Sequence, residues 1–173
     1  MAFCKFFRAI VMALLFGCSV ACENVALVSQ GRIECRGEGP ERPKSDAYIQ
    51  IQCHGNEQSC YATCDGAISE NSNTRFKICK KNGSVCIQSL LDRTVPYVLK
   101  VNEAQDLIFE RGQCEGKSFL FKEKRIYRQR FYYNYQTESH GPPMRLECSC
   151  DDNRLRLRVF NGTNKHHSWF DRL

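Results

Sequence analysis

Alternation of apolar and polar residues along the chain predicts several β-strands. The segment 47–53 (AYIQIQC) alternates over its whole length, which is the pattern of a strand with one buried face. Segments 145–150 and 154–159 alternate on either side of Asp151-Asp152-Asn153, and they predict an antiparallel hairpin. The residues of this hairpin that should face the core are Leu146, Cys148, Cys150, Leu155, Leu157 and Val159.

The strongest local signal is a hairpin over residues 74–91. Two alternating arms flank Asn82-Gly83, the pair that most favours a two-residue turn. This turn sets the register: Ile78 should face Ile87, Phe76 should face Ser89, and Cys79 should face Cys86. We predict a disulfide between Cys79 and Cys86, because directly opposed residues lie within disulfide reach. Segments 96–101 and 106–109 form another candidate hairpin, and 118–135 is a long aromatic and basic stretch.

One short helix is predicted over residues 56–66, with Asn56 as its cap and Gly66 at its end. Cys60 and Cys64 would then share one helix face. The distance between them along the helix matches the distance between Cys148 and Cys150 along a strand. Two parallel disulfides can pin such a helix onto the strand, a pattern that resembles the cysteine-stabilised αβ motif of defensins. Residues 24–46 are rich in Gly, Pro and charge, and they are interpreted as a lead-in loop.

Together these elements predict a mainly β (α+β) fold. Serial hairpins favour an antiparallel sheet arranged as a sandwich or small barrel, with one short disulfide-pinned helix. The 173-residue length suits one domain, and 42% apolar residues supply a core, which excludes a disordered chain.

The N-terminal segment predicts a secretory signal peptide over residues 1–21. Lys5 and Arg8 precede a short apolar stretch that is too short to span a bilayer, and small residues end it. Cleavage after Ala21 would leave a single disulfide-rich domain, residues 22–173. No further apolar stretch has spanning length, so we expect an extracellular protein without a transmembrane segment.

Cysteine content supports export, since the chain holds 12 cysteines and cleavage would remove Cys4 and Cys18. An even set of ten would remain, which suits five disulfides in an oxidising compartment. A zinc site made of Cys53, His54, Cys60 and Cys64 is the less favoured alternative. The cysteines expected in disulfides are Cys22, Cys35, Cys53, Cys60, Cys64, Cys79, Cys86, Cys114, Cys148 and Cys150.

Two N-x-S/T sequons indicate candidate glycosylation sites, at Asn82 and Asn161. Both are Asn-Gly pairs, which favour exposed turns. The alternative is that either sequon is a chance occurrence and stays unmodified.

Positive charge is concentrated in the C-terminal part, where residues 113–173 hold 12 basic and 7 acidic side chains. Arginines interleaved with tyrosines suit an anionic glycan, a nucleic acid or an acidic protein. The alternative is a solvated sheet face that carries charge to prevent edge pairing. The candidate anion-binding residues are Lys124, Arg125, Arg128, Arg130, Arg154, Arg156 and Arg158.

Catalytic signals are weak. The sequence shows no Ser-His-Asp motif, phosphate loop or metalloprotease helix, so we expect no enzyme, no cofactor and no metal. His140, near Glu138 and a tyrosine cluster, leaves a secreted ribonuclease-like protein as an alternative.

These features together resemble the small secreted cysteine-rich effectors of plant-pathogenic fungi. The resemblance covers the whole chain through class features, without a specific motif. It implies a non-enzymatic virulence factor that acts by binding a host molecule. The alternative is an animal extracellular ligand or salivary protein that binds an anionic glycan or a protein. The oligomeric state stays open.

Overall fold

The structure of the chain is a computed structural model. It describes residues 21–30, 33, 47–53, 58–67, 72–92, 94–103, 106–127, 131–137, 144–159 and 168–173. The predicted signal peptide, the four histidines, Cys35 and Asn161 lie outside these ranges, apart from residue 21 of the signal peptide.

The described residues form thirteen strands in one antiparallel sheet, which confirms the predicted mainly β fold. Two single turns of 3-10 helix lie at Ser72–Thr74 and Lys117–Phe119. The strands are β1 Cys22–Val25, β2 Leu27–Ser29, β3 Tyr48–Gln52, β4 Ser59–Gly66, β5 Phe76–Lys81, β6 Ser84–Ser89, β7 Tyr97–Val101, β8 Leu107–Arg111, β9 Phe121–Tyr127, β10 Phe131–Thr137, β11 Met144–Cys148, β12 Leu155–Val159 and β13 Phe170–Arg172.

The sheet curls back on itself. Its strand order is β1-β5-β6-β7-β8-β4-β3-β2-β13-β10-β11-β12. Strand β9 pairs with the whole length of β10 and also meets β6 at Val85↔Phe121. Because β9 thereby joins two distant positions in the order, the inner faces of the strands enclose a common core.

That core is built from the inward positions of the alternating strands. Phe76 and Ile78 of β5 are buried, and the Phe76 ring stacks on Phe109 of β8 with centroids 5.6 Å apart. Tyr135 of β10 and Phe170 of β13 extend the same cluster on the other arm of the sheet. A smaller cluster lies around Val28 and Tyr48.

The hairpin over residues 74–91 is confirmed with its predicted register, including Ile78↔Ile87 and Cys79↔Cys86. Asn82 and Gly83 have φ values of 50° and 80°, the left-handed backbone that this turn requires. The predicted Cys79–Cys86 disulfide is wrong. Cys79 bonds to Cys22 and Cys86 bonds to Cys114, because β1 and the chain after β8 bring other cysteines alongside.

The predicted helix over residues 56–66 is also wrong, because residues 59–66 form β4 between β3 and β8. A spacing of four places Cys60 and Cys64 on one side of a strand just as it does on a helix. Gly66 serves close packing, since a Cβ there would lie 3.0 Å from the Tyr48 carbonyl oxygen.

Only one of the two proposed pinning disulfides exists. Cys64 bonds to Cys148, one of the pairings that the predicted pinning allows, whereas Cys60 bonds to Cys53, which directly follows β3. Cys150 is also disulfide-bonded, so all nine described cysteines are oxidised. Three of the four ligands of the alternative zinc site are therefore occupied in disulfides.

The lead-in prediction is wrong for residues 24–29, which complete β1 and form β2 with only Ala26 between the two strands. Val25, Leu27 and Val28 are buried, because β1 pairs with β5 and β2 pairs with β13 and β3. These partners are distant in the sequence, so the short apolar run is stabilised by tertiary pairing.

The strand over residues 47–53 and the hairpins β7–β8 and β11–β12 are confirmed. In the last hairpin the inward prediction fails at its ends. Val159 is 57% exposed because it lies at the open end of β12, and Cys150 is exposed in the turn that follows β11.

Candidate anion-binding pocket

A cavity lies where β4 changes its neighbour. Strand β4 pairs with β8 only from Ser59 to Tyr61, and its next partner on that side is Arg154, which bridges to Thr63. Asp106, just before β8, bridges to Arg156 of β12. A cavity of about 240 Å³ lies between β8 and β12 beside β4 and is here called the junction pocket. It is lined by Ser59, Cys60, Tyr61, Ala62, Asn102, Asp106, Leu107, Ile108, Arg154, Leu155 and Arg156.

An aromatic ring and a guanidinium form one wall of the junction pocket. Alternation along β4 turns Cys60 and Ala62 into the core and leaves the intervening Tyr61 40% exposed. The guanidinium carbon of Arg154 lies 4.5 Å from the centroid of the Tyr61 ring, a cation–π contact. Within the described part of the chain Arg154 has no ion-pair partner, and its side chain is exposed.

A second guanidinium is fixed beside the first. Arg156 forms an ion pair with Asp152, four residues earlier in the turn. Hydrogen bonding from Arg156 holds the pKa of the Asp152 carboxyl far below its usual range, and the same bond raises the pKa of Arg156. The pair therefore stays charged at ordinary pH and restricts where the Arg156 side chain lies.

Polar groups and apolar side chains complete the lining. The side-chain Oδ1 of Asn102 accepts a hydrogen bond from the Asp106 backbone N–H at 2.8 Å, which orients the Asn102 side chain. Leu107 and Leu155 are buried and supply apolar surface. The arrangement offers fork-shaped donors for a carboxylate, sulfate or phosphate, with an aromatic face next to them.

The structure brings together two of the seven predicted anion-binding residues, Arg154 and Arg156. Arg158 is exposed on the same strand but outside the pocket lining. Lys124 and Arg125 are exposed on β9, which β10 and β11 separate from β12. Arg128 and Arg130 lie outside the described residues.

Sequence reasoning missed Tyr61 and Asp152. The pattern around Tyr61 predicts a helix, in which its neighbours Cys60 and Ala62 do not indicate that Tyr61 faces outward. The sequence predicts only a turn at Asp152. A carboxylate four residues before an arginine is a signal of pairing on a helix, but here a hairpin turn brings the two together.

Asn82 of the first sequon is exposed at the tip of the β5–β6 turn, so its side chain is accessible. Of the described residues, none form a cluster of three or more groups that could hold a metal ion. The described ranges also contain no helix with the length and apolar character that a bilayer crossing requires.

Comparison with known proteins gives a likeness of fold. No protein-family model matches the sequence, and the comparison with curated proteins gives no match. Among solved structures, a GlcNAcα1-4Gal-releasing endo-β-galactosidase from Clostridium perfringens aligns with a TM-score of 0.60 and 12% identity. The alignment covers 87% of this chain and 32% of the length of that one. The chain is thus a disulfide-stabilised protein, typical of extracellular proteins, whose fold is similar to part of an endo-β-galactosidase structure.

Proposed function

We propose that this chain is a secreted, non-enzymatic binding protein and that the junction pocket binds an acidic group of an anionic glycan. The observation that carries the proposal is the Arg154 guanidinium stacked on the exposed ring of Tyr61 at 4.5 Å. Arg156 of β12, two residues further along the chain, also lines the pocket. Two guanidinium groups at one end of a cavity favour an acidic ligand.

The shape of the pocket favours a glycan over a nucleic acid or a protein. A cavity of about 240 Å³ accommodates a group of sugar-ring size. A single nucleic-acid strand requires an extended basic groove with successive stacking platforms. The Tyr61 ring can pack against the apolar face of a sugar, while Asn102 and Asp106 can hydrogen-bond its hydroxyl groups. The solved structure of similar fold is named for an activity on sugars, which agrees with this ligand class.

The biological setting follows from the class resemblance. A fungal effector with this surface would meet acidic polysaccharides outside the host cell, and binding them would be its action on the host. An animal extracellular protein would use the same pocket on a sulfated glycan. Both share one ligand chemistry, so one binding experiment addresses the pocket in either case.

Titration calorimetry with matched oligosaccharides tests the proposal. The probes are a heparin hexasaccharide, an oligogalacturonate, a neutral galactan oligosaccharide and a single-stranded RNA. We expect an acidic oligosaccharide to bind, and Arg154→Glu to weaken it roughly 10- to 100-fold, as expected for loss of hydrogen bonds between charged groups. Arg158→Glu makes the same charge change outside the pocket and should cost about threefold or less.

Several outcomes would contradict the proposal. Equal losses for Arg154→Glu and Arg158→Glu would show that a general basic face binds the ligand. Equal affinity for the neutral and the acidic oligosaccharides would show that charge does not contribute to binding. Preferred binding or cleavage of the RNA would support the ribonuclease-like alternative, whose candidate residues His140 and Glu138 lie outside the described ranges.

A further inference from the structure

Four cysteines lie together on one face of the sheet. Cys22 of β1 is directly opposite Cys79 of β5, and Cys79 is directly opposite Cys86 of β6. Directly opposed residues of antiparallel strands project to the same face. Cys22, Cys79 and Cys86 therefore form one row across three strands, here called the cysteine row. Cys114, which follows β8, bonds to Cys86 at the end of this row.

The row lies on the face of the sheet opposite the core cluster, where Cys22 is exposed and Cys114 is half-buried, whereas Cys79 and Cys86 are buried. Phe76 and Ile78 belong to the core cluster, so Cys79, which follows Ile78, projects to the other face. A second cavity of about 360 Å³ is lined by three of the four cysteines, of which the half-buried Cys114 is the most accessible. Its lining residues are Cys79, Lys81, Cys86, Gln88, Pro96, Gln113, Cys114 and Glu115.

Polar groups surround Cys114 in this cavity. The Lys81 ammonium donates a hydrogen bond to the Cys114 carbonyl oxygen at 3.2 Å. The Gln88 side-chain amide donates to the Cys114 sulfur at 3.7 Å. A cation attracts an incoming thiolate, and an N–H donor stabilises a sulfur anion after reduction. Glu115, on the same wall, opposes the effect of Lys81.

We propose that the cysteine row is a thiol–disulfide exchange site that reacts with an external dithiol. One thiolate of the dithiol attacks the half-buried Cys114 sulfur, the Cys86–Cys114 bond breaks, and the Cys86 sulfur leaves as a thiolate. The second thiol of the reagent then closes on the first. This releases Cys114 as a thiol and the reagent as a disulfide.

In a second step the disulfide of Cys79 is transferred from Cys22 to Cys86. The Cys86 thiolate attacks the Cys79 sulfur, a Cys79–Cys86 bond forms, and the Cys22–Cys79 bond breaks with the Cys22 sulfur leaving. Displacement at sulfur requires the attacking, central and leaving sulfur atoms to lie in a line. Cys86, Cys79 and Cys22 follow one another across three adjacent strands, which is the sequence of attacking, central and leaving residues. In total the dithiol loses two electrons and two protons, and the protein gains thiols at Cys22 and Cys114.

The exchange has a structural consequence at β1. The Cys22–Cys79 bond is the disulfide that joins β1 to β5. Its release leaves the start of β1 held by pairing with β5 and by the ion pair of Glu23 with Arg172, while Val25 stays buried in the core. The exposed position of Cys22 lets the new thiol reach solvent. The site is independent of the junction pocket, which lies on β4, β8 and β12.

Limited reduction followed by disulfide mapping tests the exchange. The protein is treated with about one equivalent of dithiothreitol, quenched by alkylation and analysed by peptide mass spectrometry. We expect alkylation at Cys22 and Cys114 and a new linked peptide that joins Cys79 to Cys86. The Cys64–Cys148 bond, with both residues fully buried, is the internal control and should stay intact.

A charge variant tests the role of Lys81. Lys81→Glu should slow the release of Cys114 about fivefold, because a charge that attracts the thiolate becomes one that repels it. Lys80→Glu, exposed on the opposite side of the same strand, is the matched control and should leave the rate unchanged. Free thiols at Cys86 and Cys114 with Cys22–Cys79 intact would overturn the transfer step. Equal rates in the two variants would overturn the part assigned to Lys81.

Discussion

Two arginine–tyrosine stacks in this protein have the same chemistry and opposite surroundings. In the junction pocket, Arg154 lies 4.5 Å from the Tyr61 ring centroid and is exposed. In the C-terminal strand β13, Arg172 lies 3.9 Å from the Tyr133 ring centroid, and its side chain is only 7% exposed. The stack alone therefore does not indicate a role, and the groups around each guanidinium must decide it.

Arg172 is fully engaged inside the protein. It pairs with Glu23 of β1 at 2.9 Å and with Glu123 of β9, and it donates two hydrogen bonds to the Tyr135 hydroxyl at 3.0 and 3.1 Å. Burial lowers the pKa of Arg172 against the opposing effect of Glu23. Arg172 thus connects β13 to three other strands, whereas Arg154 is exposed and has no ion-pair partner among the described residues.

The largest effect should come from removing the buried guanidinium. Arg172→Met should lower the free energy of unfolding by about 3–5 kcal/mol, because the 13%-exposed Glu123 is left without its counter-charge. Urea unfolding measures the change. Arg154→Met should alter it by about 0.5 kcal/mol or less.

A double variant separates charge from packing in this prediction. Adding Glu123→Gln to Arg172→Met should restore part of the lost stability, because no uncompensated buried carboxylate then remains. No restoration, or an equal cost for Arg154→Met, would contradict the distinction between the two stacks.

Tyr135 gives the next effect, at alkaline pH. Burial raises the pKa of Tyr135 well above its ordinary value of 10.0. The folded state therefore holds its proton more tightly than the unfolded chain does. The stability it contributes is intact below pH about 10 and falls as pH rises above it, by up to about 1.4 kcal/mol per pH unit.

Tyr135→Phe should remove this alkaline slope. Urea unfolding between pH 8 and 11 measures it, and Tyr61→Phe, at the exposed stack, should retain the slope that Tyr135 provides. An unchanged slope in Tyr135→Phe would show that other groups govern alkaline unfolding.

The exposed stack should matter for binding and hardly for stability. Tyr61→Ala should weaken the acidic oligosaccharide about fivefold, through loss of roughly 1 kcal/mol of ring contact, with little change in the urea midpoint. Calorimetry measures the change in affinity, and urea unfolding of the same preparations measures the change in stability. A large stability loss with unchanged affinity would reverse the roles assigned to the two stacks.

The smallest effect concerns the ion pair at the pocket rim. Asp152→Asn should cost about 1 kcal/mol or less of stability, because the pair is more than a third exposed. It should also strengthen binding of the acidic oligosaccharide about threefold, because Arg156 loses a competing anion. Weaker binding would show that Asp152 serves mainly to position Arg156.

Because hydrogen bonding from Arg156 lowers the pKa of Asp152, this small stability contribution has a defined pH dependence. It is present above pH about 4 and is lost only as pH falls towards the lowered pKa. Unfolding curves of the wild type and Asp152→Asn should therefore converge in strong acid.

Local patterns in the sequence predicted the elements that are closed by short turns. The β5–β6 register follows from Asn82-Gly83, because a two-residue turn leaves one pairing that keeps both apolar faces inward. The β11–β12 hairpin was predictable for the same reason. The burial of residues at the ends of this hairpin was not predictable, since the exposure of Val159 depends on which strands lie beyond it.

Spacing alone left other features ambiguous. Cys60 and Cys64 fit a strand as well as a helix, and only the pairing of β4 with β3 and β8 selects the strand. Tyr61 could not be recognised as a pocket residue, because Arg154 and Asp106 reach it from segments far away in the sequence. Arg172 could not be distinguished from Arg154, since both follow a polar or acidic neighbour and precede a leucine.

The sequence by itself determined the mainly β fold, the disulfide-rich character and the register of the local hairpins, because these depend on residue type and on neighbours a few positions apart. Only the tertiary structure decided which cysteine bonds to which, where β1 and β2 pair, and which arginine is buried among acidic partners and which is exposed. Those outcomes depend on distances between segments as far apart as Glu23 and Arg172. The curl of the sheet fixes such distances, and no local pattern encodes them.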